Sequence, residues 1–391
     1  MPFESTIPIA SRVIAGRFAT RLALFYGAVF GLVGTQLPFF PVWLKSIGID
    51  APWIGIITAV PSLTRFTVLP FVTGTAERRQ SLRGAMIVAA FATALGFSLL
   101  GTLHQPPAVL IAFALTACAW TPLVPLADGY ALKGVVRYGL NYGPLRLWGS
   151  AAFVVGAMAC GLLVDVIAAK NLIWVIAAVA GLGAVASLAL QPLDAPKAAP
   201  ASLSSAATLL RQPGFVAIVA SAALIQSSHA AYYTFASIAW QASGFGGLTI
   251  AALWVLGVLA EIVVFALSPR FTLSPAMLMV LGGLCAGIRW LITAQQPPLV
   301  ILAVVQMMHG LTYGITQVGT MGLLVRRVPG HVMATAQGYL TAGIGVAMSC
   351  VAMLSGVIYA RHGHGVYYAM AAVALCGALV IWLARHKAEA A

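Results

Sequence analysis

Twelve mostly apolar stretches follow one another along the chain, separated by short polar or basic turns. Neither strand alternation nor a one-sided helical stripe dominates; the runs are apolar all round. About 20 such residues in a helix cross the hydrocarbon core of a bilayer, so the pattern predicts an all-α membrane protein. The spans fall near 18–44, 52–73, 84–103, 106–131, 142–168 and 171–191, then 214–240, 246–268, 273–294, 297–324, 332–360 and 365–384. Five charged residues stand well inside these runs: Arg65, Asp128, Arg146, Glu261 and Arg289. A charge at that depth costs roughly 2.5–3.5 kcal/mol on insertion scales, so each marks a place to look for function.

Composition sharpens the class. The 391 residues are 61% hydrophobic and 7% charged, with a mean hydropathy of +0.98, far from the balance of a soluble domain. Residues 1–21 carry Arg12, Arg17 and Arg21 and show no short apolar core followed by a small-residue cleavage site, so the first run reads as a true span and not as a signal peptide. The five cysteines (Cys118, Cys160, Cys285, Cys350, Cys376) all lie in apolar runs without metal-ligand spacing, which reads as packing.

A net charge of +13 raises the question of nucleic acid, and its distribution answers it. With the N-terminus cytoplasmic, 15 of the lysines and arginines fall in inside segments and 3 (Lys45, Lys170, Arg361) in outside ones. That asymmetry orients the chain with both termini cytoplasmic and accounts for the basic character without nucleic acid. A loop without strong hydrophobicity, Gln191 to Gln212 with the stretch PLDAPKAAPASLSSA, separates six spans from six. The expected organisation is an N-terminal six-helix bundle (1–192), a cytoplasmic linker (193–212) and a C-terminal six-helix bundle (213–391).

Local motifs narrow this further. The second span ends in Gly74-Thr75-Ala76-Glu77-Arg78-Arg79, with Arg83 following. Tyr142-Gly143-Pro144-Leu145-Arg146-Leu147-Trp148-Gly149-Ser150 opens the fifth span. Ser228-His229-Ala230-Ala231-Tyr232-Tyr233-Thr234-Phe235 lies in the seventh, and Leu253 to Glu261 in the eighth. Ile288-Arg289-Trp290 and Met308-His309-Gly310-Leu311-Thr312-Tyr313-Gly314 lie in the ninth and tenth. Together these resemble the phenylpropionate-permease branch of the major facilitator superfamily, near lactose permease and the nucleoside–proton symporters. The resemblance covers nearly the whole chain. It implies twelve transmembrane helices in two six-helix bundles rocking about a midplane site. It also implies a gate role for Gly74, Glu77, Arg78 and Arg83, where a basic loop that merely stops transfer is the plainer reading. The resemblance has departures: Thr312 replaces an acid one turn after His309, and Phe153 stands where lactose permease has its sugar-stacking Trp. The fifth span, GSAAFVVGAMACG, lacks the glycine-rich motif of drug–proton antiporters.

Each buried charge has two readings. Asp128 and Arg146 sit on successive spans joined by a short loop, so they can offset each other's desolvation. The resemblance assigns them to substrate binding, whereas a permanent structural pair is the simpler account. Glu261 has no cation within a turn of its own helix. A partly desolvated carboxyl is held neutral and yields its proton when water reaches it, as a coupling site requires. Arg289 is its expected partner and His309 a third member, able to relay protons; a structural Glu–Arg tie is the alternative. His229 can line the substrate site or simply be a satisfied core residue. Arg65, without a local partner, can grip a carboxylate through both guanidinium nitrogens or snorkel to a carbonyl beside Pro61. Tyr232, Tyr233, Trp254 and Tyr313 can form a stacking wall or just pack. Pro38, Pro41, Pro61, Pro70, Pro122 and Pro125 can kink spans one, two and four.

The expectation is therefore a monomeric secondary transporter of a bacterial-type inner membrane. It takes up a small organic solute with a proton, needs no cofactor or metal, and is not an enzyme, since no HExxH, GxSxG triad or Walker loop is present. The resemblance and three intramembrane arginines favour an aromatic carboxylate such as phenylpropionate; a sugar or nucleoside is the runner-up. Drug efflux and a channel rank below, because no filter segment repeats. Arg65, Asp128, Arg146, Phe153, His229, Tyr232 and Tyr233 are the substrate-site candidates, and Glu261, Arg289 and His309 the proton-coupling set.

Overall fold

A computed structural model of the chain describes residues 9–193, 209–329 and 332–389; the side chains of 9–12, 77 and 334 lie outside this description. The described residues form helices: α1 (Ile9–Ser46), α2 (Ala51–Thr67), α3 (Leu69–Arg78), α4 (Leu82–Leu100), α5 (Pro106–Trp120), α6 (Leu123–Tyr138), α7 (Tyr142–Val164) and α8 (Leu172–Leu188) precede the central loop. After it come α9 (Pro213–Ser227), α10 (Ala230–Ala242), α11 (Gly247–Leu267), α12 (Pro275–Ala294), α13 (Leu299–His309), α14 (Ile315–Arg327), α15 (Met333–His362) and α16 (Val366–Glu389). Most of the expected linker, 194–208, lies outside the described residues.

Four spans are broken helices, each for a local reason. Pro70 lacks the N–H that would continue α2, and the chain bends by 43° into α3. Pro122 parts α5 from α6 in the same way, whereas Pro38 and Pro41 sit inside the continuous α1. Between α9 and α10 the hydroxyls of Ser227 and Ser228 donate to Leu224 O and Ile225 O. His229 Nδ1 also reaches Ile225 O at 3.2 Å. These side chains compete for carbonyls that the helix would otherwise use. A π-turn, Gly310–Gly314, joins α13 to α14; such turns widen a helix and are frequent at functional sites. The apolar stretch Thr335–Glu389 is too long for one crossing and divides at Gly363–Gly365 into α15 and α16. Counting each broken pair as one crossing gives twelve spans, six before residue 194 and six after 208.

With an even number of spans, Ile9 and Glu389 lie on one face, called here the terminal face; the opposite one is the far face. Outward-facing side chains such as Leu95 (72% exposed) and Leu115 (68%) are apolar, the inverse of a water-soluble surface and what a lipid shell demands. Within the first six spans α1 packs on α7 and α8, and α4 on α8; within the last six α12 packs on α16 and α9 on α15 and α16. Across the two sets, α2 meets α15, α7 meets α11 and α1 meets α10.

The two sets close on each other at the far side. A side chain on Gly55 would stand 2.7 Å from Ala352 O, and one on Gly356 2.7 Å from Ala51 O, while Gly161 and Gly247 face each other equally tightly. Glycine is required at these places because backbones touch. Three hydrogen bonds add to the closure: Thr58 Oγ1 with Thr234 Oγ1 (3.1 Å), Ser349 Oγ to Ala59 O (3.2 Å), and Gly247 N–H to Asp165 Oδ1 (2.7 Å). In the last, a carboxylate ending α7 caps the first turn of α11, meeting both a free N–H and the positive helix end.

A central cavity and its charged cluster

Between the halves lies a cavity of about 480 Å³, lined from both. Its depth profile follows from helix rise, about 1.5 Å per residue. Arg65, Glu261 and Tyr313 each stand 14 residues in from the far ends of α2, α11 and α13, which is about 21 Å from that face. Phe40, Phe113, Tyr232, Tyr233 and Trp254 stand 6 to 10 residues from the far ends of their helices, or about 9–15 Å. The cavity thus has an aromatic floor beneath a level that carries one cation and one acid from opposite halves.

The floor is rigid. Tyr232 and Trp254 pack with ring centroids 4.7 Å apart, Tyr233 stacks on Trp254 at 6.1 Å, and Phe40 stacks on Phe113 at 4.5 Å. The Trp254 indole donates to Ser237 Oγ at 2.9 Å, which satisfies its N–H and fixes the ring plane. Arg65 lines the cavity and makes no hydrogen bond or ion pair among the described residues. Such an exposed guanidinium keeps its planar pair of donors for a ligand.

Glu261, His309 and Arg289 come together, but not as a direct Glu–Arg pair. Arg289 is fully buried without a carboxylate. It donates to His309 Nδ1 (3.0 Å), Thr312 Oγ1 (3.2 Å) and Gln306 Oε1 (3.1 Å) and lies over the faces of Tyr232 (4.8 Å) and Trp290 (4.5 Å). Hydrogen bonds and two ring faces offset its desolvation. Because guanidinium can only donate, His309 Nδ1 must accept and its proton must sit on Nε2, which faces Glu261 Oε2 at 3.7 Å. A second proton on His309 would point at Arg289. The Thr312 hydroxyl accepts from Arg289, reaches His309 O at 3.3 Å and lies 3.0 Å from His229 Nε2, while His229 Nδ1 lies 3.2 Å from Ile225 O. Arg289 thereby sets the orientation of the His309 ring, and Glu261 is the cluster's member that lines the cavity.

The other sequence candidates are distributed differently. Tyr232, Tyr233 and Phe153 line the cavity; His229 is buried behind the wall. Asp128 and Arg146 pair at 3.7 Å away from the cavity lining, the carboxylate also accepting from Tyr26 (2.6 Å) and Tyr142 (2.9 Å) while Arg146 covers Phe30 at 3.9 Å. In the basic loop Arg78 turns back to Gly74 O (3.2 Å), and Arg83 caps the end of α8 through Leu190 O (2.6 Å) and Leu188 O (3.3 Å). These bonds stay within the first half; the side chain of Glu77 lies outside the described residues. Sequence reading passed over Gln36, Gln226, Gln306 and Asp165. The first three are uncharged and common in membrane helices, and Asp165 sits at a span end, so neither carries a cost signal.

Twelve spans in two sets, a closed far side and a cavity between the sets make up the major facilitator architecture of a membrane transporter. The MFS_1 like family matches residues 19–370, and the chain belongs to it. It is 33% identical over 368 residues to the probable 3-phenylpropionic acid transporter of Escherichia coli (strain K12), covering 90% of this chain and 94% of that protein. The maltose permease of Geobacillus stearothermophilus is 26% identical over 382 residues, covering 95% and 96%. Among solved structures, nucleoside transporter NupG superposes with a TM-score of 0.81 at 15% identity, covering 94% of this chain and 98% of that one. The protein is thus a membrane-embedded transporter of a small molecule and not an enzyme.

Proposed function

We propose that the chain is a proton-coupled importer of an aromatic carboxylate, working as a monomer in a bacterial-type inner membrane. The observation that carries this is the cavity itself: an unpaired Arg65 stands level with Glu261 over an aromatic floor. An aryl ring fits the floor, and a carboxylate one short chain away reaches the guanidinium. The printed name of the 33% identical relative supports the same class. A sugar would leave Arg65 without an anionic partner. With both termini cytoplasmic, as the 15-to-3 cation asymmetry favours, the sealed far side is periplasmic and the cavity faces inward.

Coupling follows from the cluster. Glu261 takes a proton when the cavity faces the periplasm, and as a neutral acid it no longer repels the substrate carboxylate in the shared cavity. Inward opening admits water, which stabilises the carboxylate and releases the proton; the fixed Nε2–H of His309 offers it a partner. Glu261→Gln mimics the protonated acid. In proteoliposomes this variant is expected to exchange substrate by counterflow at near the parental rate yet fail to accumulate it under a proton gradient. Undiminished accumulation would exclude Glu261 as the coupling group, and loss of both activities in folded protein would move it to substrate binding.

A further inference from the structure

Two glutamines in the cavity wall carry amide oxygens that are buried and without a hydrogen-bond partner: Gln36 on α1, 6% exposed, and Gln226 on α9, 3% exposed. A buried amide left unpaired costs free energy. Its persistence at a ligand cavity points to a partner that arrives with the ligand. Neither side chain is committed to a protein partner among the described residues, so each terminal amide can turn over and present oxygen or nitrogen without breaking a bond.

Their depths differ. Gln36 lies 10 residues before the far end of α1, about 15 Å from that face, at the level of Tyr232 and Tyr233. Gln226 precedes Tyr232 by six residues, placing it about 9 Å nearer the terminal face, at the level of Arg65. We infer that Gln36 recognises a hydroxyl group on the aromatic ring of the substrate, making the preferred cargo a phenolic aryl carboxylate, while Gln226 assists Arg65 at the carboxylate. A phenol O–H donates to the orphan oxygen of Gln36 and, as an acceptor, takes the amide N–H if the group turns; a bare ring does neither. The inference rests on the aromatic-carboxylate reading above.

The test is binding of phenylpropionate and of its meta- and para-hydroxyl derivatives to the purified full chain, read by calorimetry, with uridine and maltose as controls. The parent protein is expected to prefer a hydroxylated acid by about tenfold, the worth of one well-placed neutral hydrogen bond. Gln36→Met, which keeps length and volume, is expected to abolish that preference, bringing the three acids to one affinity. Gln226→Met is expected to weaken all three acids alike. Equal affinity for the three acids in the parent, or an unchanged preference in Gln36→Met, overturns the inference while leaving the aromatic-carboxylate reading intact. Binding of uridine or maltose with none of the acids overturns that reading instead. Should Gln36→Met fold poorly, Gln36→Glu supplies the check: its carboxylate accepts from a phenol but repels the acid end, so all three acids are expected to weaken while a hydroxylated one stays preferred; loss of that preference contradicts the assignment.

Discussion

At the residue scale the division of labour among the arginines is set by their partners. Arg289 spends both terminal nitrogens on His309, Thr312 and Gln306, its Nε–H standing without a partner among the described residues, and is buried away from the cavity. Arg146 is engaged by Asp128 and stacked on Phe30. Arg65 keeps its donors for the cavity. Replacing Arg65 with Lys retains the charge but not the planar fork. Affinity for an aromatic carboxylate is expected to fall by about tenfold or more, the loss of one charge-assisted bond, with the fold unaffected; binding calorimetry beside a thermal melt checks both. Parental affinity in that variant would remove Arg65 from the carboxylate site. The charged positions were legible from sequence because a charge in a lipid-spanning run is costly and therefore conspicuous. The neutral amides Gln36 and Gln226 carry no such mark, and only their unpartnered burial in the cavity wall makes them visible.

At the element scale, the breaks lie where the chemistry is. His229 sits at the α9–α10 interruption and Thr312 within the π-turn, so backbone irregularity and polar side chains coincide. Irregular backbone is tolerated at membrane depth where protein or a cavity surrounds it. The far-side seal depends on α2 lying backbone to backbone on α15. Gly356→Val places methyl groups against Ala51 O, which a Cβ alone would approach at 2.7 Å, so α15 cannot seat. The expected result is a shift toward the state open at the far face. A cysteine at Thr58 should then react with an impermeant maleimide from that face several times faster than in the Gly356 parent. Equal rates would show that the seal does not hinge on this contact.

At the scale of the whole molecule, the question is which way the sealed face points. Lys170 lies on the far face and Arg270 on the terminal face, and both are exposed. With cysteines placed at each in a cysteine-free background, impermeant reagent added to intact cells is expected to label position 170 and spare position 270. The reverse pattern would invert the orientation and make the cavity outward-facing. The α2–α15 and α7–α11 contacts that close the far side are made by glycine and small polar residues in place of interlocking large side chains, so their separation breaks few side-chain contacts.

Sequence alone determined the membrane class, the twelve spans and the suspicion attached to Glu261, Arg289, His309 and Arg65. The reason is that a bilayer imposes one dominant constraint: apolar length sets the number of crossings, and every charge kept inside is an exception that shows. The motifs also pointed to the major facilitator fold. Tertiary structure alone decided that His309 stands between Glu261 and Arg289, that Asp128 and Arg146 pair away from the cavity lining, that Arg83 caps α8, and which end of the pathway is sealed. Those outcomes depend on helix rotation and on contacts between residues as far apart as Asp165 and Gly247 or Ala59 and Ser349. An all-round apolar helix carries no stripe to announce which face turns inward, so packing across the two halves must choose it.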